Sequence, residues 1–440
     1  MRRPEGASAS QEGDAGRQSP RRGFNQIVAG TMFGQVVTFF ALPFLSRLYS
    51  SEQFGLLTLS LSVAAIVAPV ALLGFDHAVL QPRLDRAVAP LAVSGLVSLL
   101  LVCVAFAAVI AWGPVSLSED DRVRPFLVWA LPALLLVTGT AMMFAQLAVR
   151  SGQYARIGSR ITVQSVAITV SQLGMAGTAH LGSFNGLVAG AVVGTSCGGA
   201  LLATFGRRYS RRVSLQECLR SIRFYWRFPV AYAPVNTLAL LAQQTPALFT
   251  IAWFGVAAGG HVGMAERVAA VPLALVGVAA ASVFAGEFSR AVRAGSRDLA
   301  KRYLATSRWL VLLAAAVFVG LAALAPTLLP LFLGTSWQTA ASIAQAMAVV
   351  AATRMMASPL RAVFRLLGRA RVAVGIDVAR IVLLAGAATA VAVSGLELLP
   401  SLTLLFAALA IADVLAWFMG WRIAVQADHA RGPSAPEATS

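Results

Sequence analysis

The chain has 440 residues, 58% of them hydrophobic and 12% charged, with a mean hydropathy of +0.76. Soluble domains carry about 25% charged residues, so this composition excludes most water-facing enzymes and nucleic-acid readers, and disorder over most of the length. The net charge of +17, from 35 basic against 18 acidic residues, is then explained by the loops of an all-α, polytopic membrane protein rather than by a nucleic-acid partner.

Residues 1–23 are rich in Ser, Gly, Arg and Pro and lack an apolar h-region. They read as a disordered cytoplasmic tail, not a signal peptide. Twelve apolar segments follow, near 24–47, 54–80, 89–113, 125–149, 157–180, 184–206, 228–254, 258–285, 304–325, 337–362, 372–394 and 398–422. A spanning helix takes roughly 20 apolar residues, so each is long enough to cross a bilayer. The first six make an N-terminal bundle over 24–206 and the last six a C-terminal bundle over 228–425. Between them, 207–227 is a basic cytoplasmic linker carrying the run RRYSRR and an amphipathic stretch from Leu215 to Trp226. It reads as a topology signal plus an interfacial helix, with anionic lipid as its functional variant. Residues 426–440 read as a second disordered tail.

Loop charge tests this count. With the N-terminus inside, 29 of the 35 basic residues fall in inner loops and tails, and only Arg47, Arg122 and Arg124 in outer loops. That split favours twelve spans with both ends cytoplasmic. The eight tryptophans fall near predicted span ends: Trp112, Trp129, Trp253 and Trp337 outside, Trp226, Trp309, Trp417 and Trp421 inside. This is aromatic-belt placement. The halves also show traces of repetition, since Phe54-Gly55 opens span 2 and His261-Val262-Gly263 opens span 8, about 208 residues later. Internal repeats are a transporter trait.

Chemistry-bearing motifs are sparse. There is no GxxxxGK[ST], H-E-x-x-H or G-x-S-x-G, and Cys103, Cys197 and Cys218 lack metal or redox spacing. The cluster Glu119-Asp120-Asp121 reads as a solvated acidic turn. His77, His180, His261 and His429 are scattered near span edges or in a tail. No predicted outer loop is long enough for a domain, which disfavours a polysaccharide polymerase or ligase. The expectation is a non-enzyme with no cofactor and no metal site.

Charges inside spans are costly unless they face a partner or a wet cavity. The candidates away from the loop clusters are Asp76 in span 2, Glu266 and Arg267 in span 8, Arg354 in span 10, Asp377 and Arg380 in span 11, and Asp413 in span 12. Asp377 and Arg380, three residues apart, suit a local ion pair. Glu266 and Arg267 are adjacent and point apart, so Arg267 is expected to face an aqueous interior. Arg354 has no carboxylate at i±3 or i±4, so it calls for a distant acid or an anionic ligand. Gln35, Asn236, Gln243 and Gln244 are candidate polar cavity residues, the last three sharing one face of span 7. Arg267, Arg354 and Arg380 together suggest an anionic substrate. A lipid-linked pyrophosphate suits bidentate guanidinium.

Several strings resemble bacterial polysaccharide flippases, the O-antigen and capsule translocases of the multidrug/oligosaccharidyl-lipid/polysaccharide superfamily. In the first half these are LSRLYSSEQFG (Leu45 to Gly55) and GFDHAVLQPR (Gly74 to Arg83). In the second they are Arg227-Phe228-Pro229, VGMAER (Val262 to Arg267) followed by Pro272, LFLGTSWQTA (Leu331 to Ala340), Ser358-Pro359-Leu360, Gly368-Arg369 and Asp377. The resemblance spans about residues 24–425. It implies two six-helix bundles around a V-shaped central cavity, alternating access, and transfer of an undecaprenyl-diphosphate-linked oligosaccharide across the bacterial inner membrane for O-antigen, capsule or exopolysaccharide synthesis. A diphosphate-binding role carries over to Arg267 by its context. Coupling to a proton or sodium gradient has Asp76, Glu266 and Asp413 as candidates. Implied partners are the bilayer, the lipid-linked oligosaccharide and the polymerase and export machinery. The rival on the same fold is a drug or cation antiporter.

Overall fold

The computed structural model describes residues 20–82, 84, 87–112, 123–178, 185–204 and 213–430. The acidic cluster 119–121, His180, Arg83, Arg86, Arg122 and the run 207–212 lie outside the described residues. Twelve helices match the twelve expected segments, and no strand occurs among the described residues. They are α1 (Pro20–Leu48), α2 (Ser51–Ala71), α3 (Val88–Trp112), α4 (Val123–Arg150), α5 (Tyr154–Gly174) and α6 (Gly186–Ala200) in the first half. The second half has α7 (Ala233–Phe254), α8 (Val256–Pro272, continued past a wide turn by Val278–Arg293) and α9 (Leu299–Val319, continued by Ala325–Leu333). It ends with α10 (Gln338–Ala357), α11 (Ala370–Ser394) and α12 (Leu398–Ala430).

Two expected boundaries move. Helix α1 starts at Pro20, inside the expected tail, and α12 runs to Ala430, beyond 425. The last turns of α12 are held because the Asp428 carboxylate accepts from the backbone N–H groups of Leu299 and Ala300, at 3.0 and 2.9 Å. It thereby satisfies free donors at the start of α9.

Eight helices are long and apolar enough to cross a membrane by length and composition: α1 to α4 and α9 to α12. The four that miss this measure are α5 to α8. Helices α5, α7 and α8 carry Gln164, Gln172, Asn236, Gln243, Gln244, Glu266 and Arg267, while α6 is short, only 15 residues long. Their polarity has a location, since residues of all four line one cavity: Gln172 of α5, Ala191 of α6, Gln244 of α7, and Glu266 and Arg267 of α8.

Local signals fix the breaks. Ser50 caps α2 through a reciprocal pair with Gln53. Gly74, at φ +69°, ends the descent of span 2 before a short turn of helix at Phe75–Ala78. Asn185 caps α6 by accepting from the N–H groups of Leu187 and Val188. The linker holds the amphipathic helix Leu215–Phe224, capped by Ser214 and Glu217. It lies on the start of α3, and Tyr225 and Phe228 pack into the first half. The linker is therefore an appendage of the N-terminal bundle, and the chain enters the second half through the wide turn Phe228–Tyr232.

The apolar core is single at one end and double at the other. At the end holding the α1–α2, α7–α8 and α9–α10 connections, one continuous cluster takes Leu42, Leu45, Phe54 and Leu57 together with Val262, Met264, Leu333, Trp337 and Ile343. At the opposite end there are two clusters. One is purely N-terminal up to the linker, around Leu72, Phe75, Leu91 and Met143. The other is purely C-terminal, around Phe288, Tyr303, Phe364 and Ile376. The bundles are thus joined at one end and separately packed at the other.

Candidate functional site: a cationic cavity closed at one end

Close approach of α2 and α8 builds the closed end. A side chain at Gly55 would meet the Val256 carbonyl, one at Gly260 the Ser51 carbonyl, and one at Gly263 the Thr58 side chain. Small residues let helix backbones approach where apolar side chains would hold them apart. Gly55 and Gly263, matched in the traces of repetition, thus lie on facing helices of the two halves.

Trp337 completes the closure. Only 1% exposed, its ring meets Phe54 edge-on at 5.1 Å and His261 at 5.3 Å. Its indole N–H donates to the Ser46 carbonyl at 2.9 Å, and the Ser46 hydroxyl donates to the Leu333 carbonyl at 2.8 Å. Both bonds cross between halves and are buried. Trp337 is therefore not an interfacial belt residue, unlike Trp112, Trp253 and Trp309, which are exposed. Composition could not distinguish the two roles, because both place a tryptophan at a helix end.

Below this closure lies a cavity in two lobes of about 380 and 490 Å³, sharing Gln35, Gln244 and Glu266 in their walls. The first is also lined by Thr58 and Ser62 of α2, Gln172 of α5 and Arg267 of α8. The second reaches Gln243 and Arg354. Helices of both halves thus contribute the lining.

The expected site residues divide. Arg267, Arg354, Glu266, Gln35, Gln243 and Gln244 all line the cavity. The Arg267 guanidinium makes no ion pair among the described residues; it stands over the Phe54 ring, 5.5 Å from its centroid. A cation–π contact of this kind contributes about 0.5–2 kcal/mol, less than a carboxylate partner in a dry site, so the cation stays available. Arg354 does have the distant acid that its position called for: its Nε lies 3.9 Å from Asp413 Oδ2. Its side chain is nevertheless 35% exposed.

Arg380, expected in the cavity, is not part of the lining of either lobe. It is 4% exposed and held between α11 and α12. Its guanidinium is bonded to Asp413 and lies 3.6 Å from Asp377 Oδ1. Arg361 closes the network from the other side, donating to both Asp377 oxygens at 2.9 and 3.0 Å. Arg380 faces its own bundle because two carboxylates there compensate its burial. Asp413, expected as a polar cavity residue, is 4% exposed and is likewise part of this network. Asp76 is also away from the cavity. It is 1% exposed near the end of the N-terminal bundle, 3.4 Å from His77 Nε2, with Oδ1 lacking a hydrogen-bond partner. Asn236 is partly buried on α7 and outside the cavity walls.

Sequence reasoning missed the second layer. Trp337 read as a belt residue and Phe54 only as the opening of span 2, yet they link Arg267 to the closed end. Arg361 read as a loop charge, yet it anchors Asp377. No group of three or more His, Cys, Asp or Glu able to hold a metal ion occurs among the described residues.

The arrangement of twelve helices in two bundles is similar to the fold of solved transporters of the MOP superfamily. An inward-facing multidrug resistance MATE family transporter of that superfamily superposes with a TM-score of 0.70 at 14% identity, over 94% of this chain and 99% of its own. A MOP superfamily transporter from Pyrococcus furiosus, described by the reverse polarity of its binding pocket, gives 0.61 at 15%, over 95% and 98%. An outward-facing MATE family transporter gives 0.53 at 13%, over 95% and 98%. No match to a curated protein was found. The polysaccharide biosynthesis protein family matches residues 44–342, and the chain belongs to that family. It is a multi-pass membrane protein.

Proposed function

We propose that this protein carries a lipid-linked oligosaccharide across the bacterial inner membrane, binding the diphosphate in the central cavity and exchanging access by rocking of the two bundles. The observation that carries the reading is Arg267, a guanidinium without an ion-pair partner among the described residues, facing a cavity between the bundles. A diphosphate offers oxygens in the geometry that a guanidinium fork matches. Arg354 supplies a second cation across the shared walls. The excess of basic residues at the end with two separate cores supports a cytoplasmic location for that end, so the cavity accepts substrate from the cytoplasm. The higher TM-score against the inward-facing than the outward-facing MATE structure supports the same orientation.

A drug or cation antiporter on this fold is the second reading, favoured by Glu266, whose carboxylate lines both lobes. Two guanidiniums against one carboxylate weigh against it. If transport is coupled to a proton or sodium gradient, Glu266 is the acid placed to carry the ion, since Asp76 and Asp413 are enclosed elsewhere. The test is reconstitution. Proteoliposomes are expected to relocate a labelled undecaprenyl-diphosphate oligosaccharide without changing its covalent structure, and Arg267→Ala to abolish that relocation. Uptake of organic cations with no effect on the lipid would favour the antiporter; a product of altered covalent structure would make the protein an enzyme.

A further inference from the structure

A second cavity, of about 420 Å³, lies directly behind the first. Its floor is Leu321, Ala325 and Leu329, all under 9% exposed, and its rim includes Leu324, Leu328 and Leu331, which are 51%, 50% and 77% exposed. Its walls hold no ionisable side chain. The concavity has a backbone origin. Helix α9 widens into a π-turn over Gly320–Leu324, where the Ala322 carbonyl accepts from Gln345 Nε2 at 2.9 Å, and Gly320 contributes no side chain. Isolated π-turns inside helices recur at functional sites.

The groove and the cationic cavity share a wall. Phe39 of α1 lines both, stacked on Phe332 at 5.4 Å. On α8, Arg267 faces the cavity and the next residue, Val268, faces the groove. An apolar trough thus runs along the back of the anion site, with exposed leucines at its outer lip.

We propose that this groove holds the polyprenyl chain of the substrate whose diphosphate sits at Arg267, with Phe39 as the partition that the chain passes. The assignment rests on the reading given under Proposed function. A chain left in a wet cavity costs about 0.8 kcal/mol for each methylene kept from apolar surroundings. An apolar trough one residue away from the guanidinium removes that cost without moving the head group.

Gly320→Trp tests it. Gly320 has helical φ and ψ of −58° and −49°, and nothing lies within 4 Å of where its Cβ would be. The substitution therefore fills the groove without displacing backbone. In nanodiscs of the full-length protein, Gly320→Trp is expected to weaken binding of undecaprenyl diphosphate at least tenfold and to leave geranyl diphosphate unchanged. A diazirine placed along the undecaprenyl chain is expected to label Phe39 and Leu321 to Phe332, with labelling competed by undecaprenyl phosphate and not by phosphatidylglycerol. Unchanged undecaprenyl binding, or equal loss for both diphosphates, overturns the groove assignment while leaving the cavity reading in place. Equal competition by phosphatidylglycerol makes it a site for ordinary bilayer lipid and overturns it as well. Failure of the wild type to bind either diphosphate overturns the proposed function and this assignment together.

Discussion

Three arginines that composition makes equally costly meet three different surroundings. Arg380 is compensated by Asp377 and Asp413, Arg354 is shared between Asp413 and the cavity, and Arg267 meets an aromatic face and no ion-pair partner among the described residues. Their substitutions should differ accordingly. Arg380→Met leaves two buried carboxylates short of a partner and is expected to lower stability by about 3–5 kcal/mol. The measurement is the thermal unfolding midpoint in detergent, and adding Asp413→Leu is expected to restore part of the loss. Arg267→Met should leave that midpoint nearly unchanged and abolish diphosphate binding. Arg267→Lys keeps the charge but loses the planar fork, so binding should fall about tenfold or more while the fold persists. A large drop in midpoint for Arg267→Met would show that this side chain stabilises the fold rather than waiting for a ligand.

At the scale of elements, the α2–α8 seam and the Trp337 lock hold one end shut. The seam depends on backbone proximity and the lock on two buried hydrogen bonds between halves. Gly55→Val places a branched side chain against the Val256 carbonyl, and overpacking of this kind costs about 1–3 kcal/mol. It is expected to part the seam, raising the reactivity of a cysteine introduced by Ser51→Cys toward a membrane-impermeant thiol reagent. Trp337→Phe keeps an aromatic ring against Phe54 but loses the pyrrole part of the indole and with it the bond to Ser46, the bond alone being worth about 0.5–1.5 kcal/mol. The same reporter should respond in the same direction, by a smaller amount. No change in either variant would mean that other contacts set the closure. The Arg267–Phe54–Trp337 succession joins the cavity wall to the lock, so a change that draws Arg267 away from Phe54 loosens one neighbour of the tryptophan.

For the whole molecule, the informative feature is the apolar core, continuous across both halves at one end and divided at the other. Two separately packed bundle ends can part without exposing a shared core, whereas the joined end must break contacts to open. Holding the joined end together should therefore stop transport. In a background lacking Cys103, Cys197 and Cys218, Ser46→Cys with Leu333→Cys, bridged through disulfides by a short bis-methanethiosulfonate reagent, is expected to abolish substrate relocation. Reduction should restore it. Unimpaired relocation with the bridge intact would exclude opening at this end.

What the sequence determined by itself is what depends on local chemistry. Twelve apolar segments and the family of the chain follow from composition and short strings. So does the short list of buried charges, because any ionised group inside an apolar span is conspicuous. The breaks at Gly74 and Asn185, by contrast, fall inside the expected segments 54–80 and 184–206 and came from the structure. Tertiary structure alone decided which of those charges meet. Arg380 and Asp413 are 33 residues apart in sequence and lie on different helices, and neither periodicity nor spacing reports which helix faces which. The same holds for Trp337, a belt residue by position and a lock by packing. It holds also for the apolar groove on α9, which arises from a π-turn and an absent side chain and leaves no polar residue to notice. Spans are selected one at a time by the bilayer, whereas cavities, locks and ion networks come from helix pairs, and pairing is a property of the folded whole.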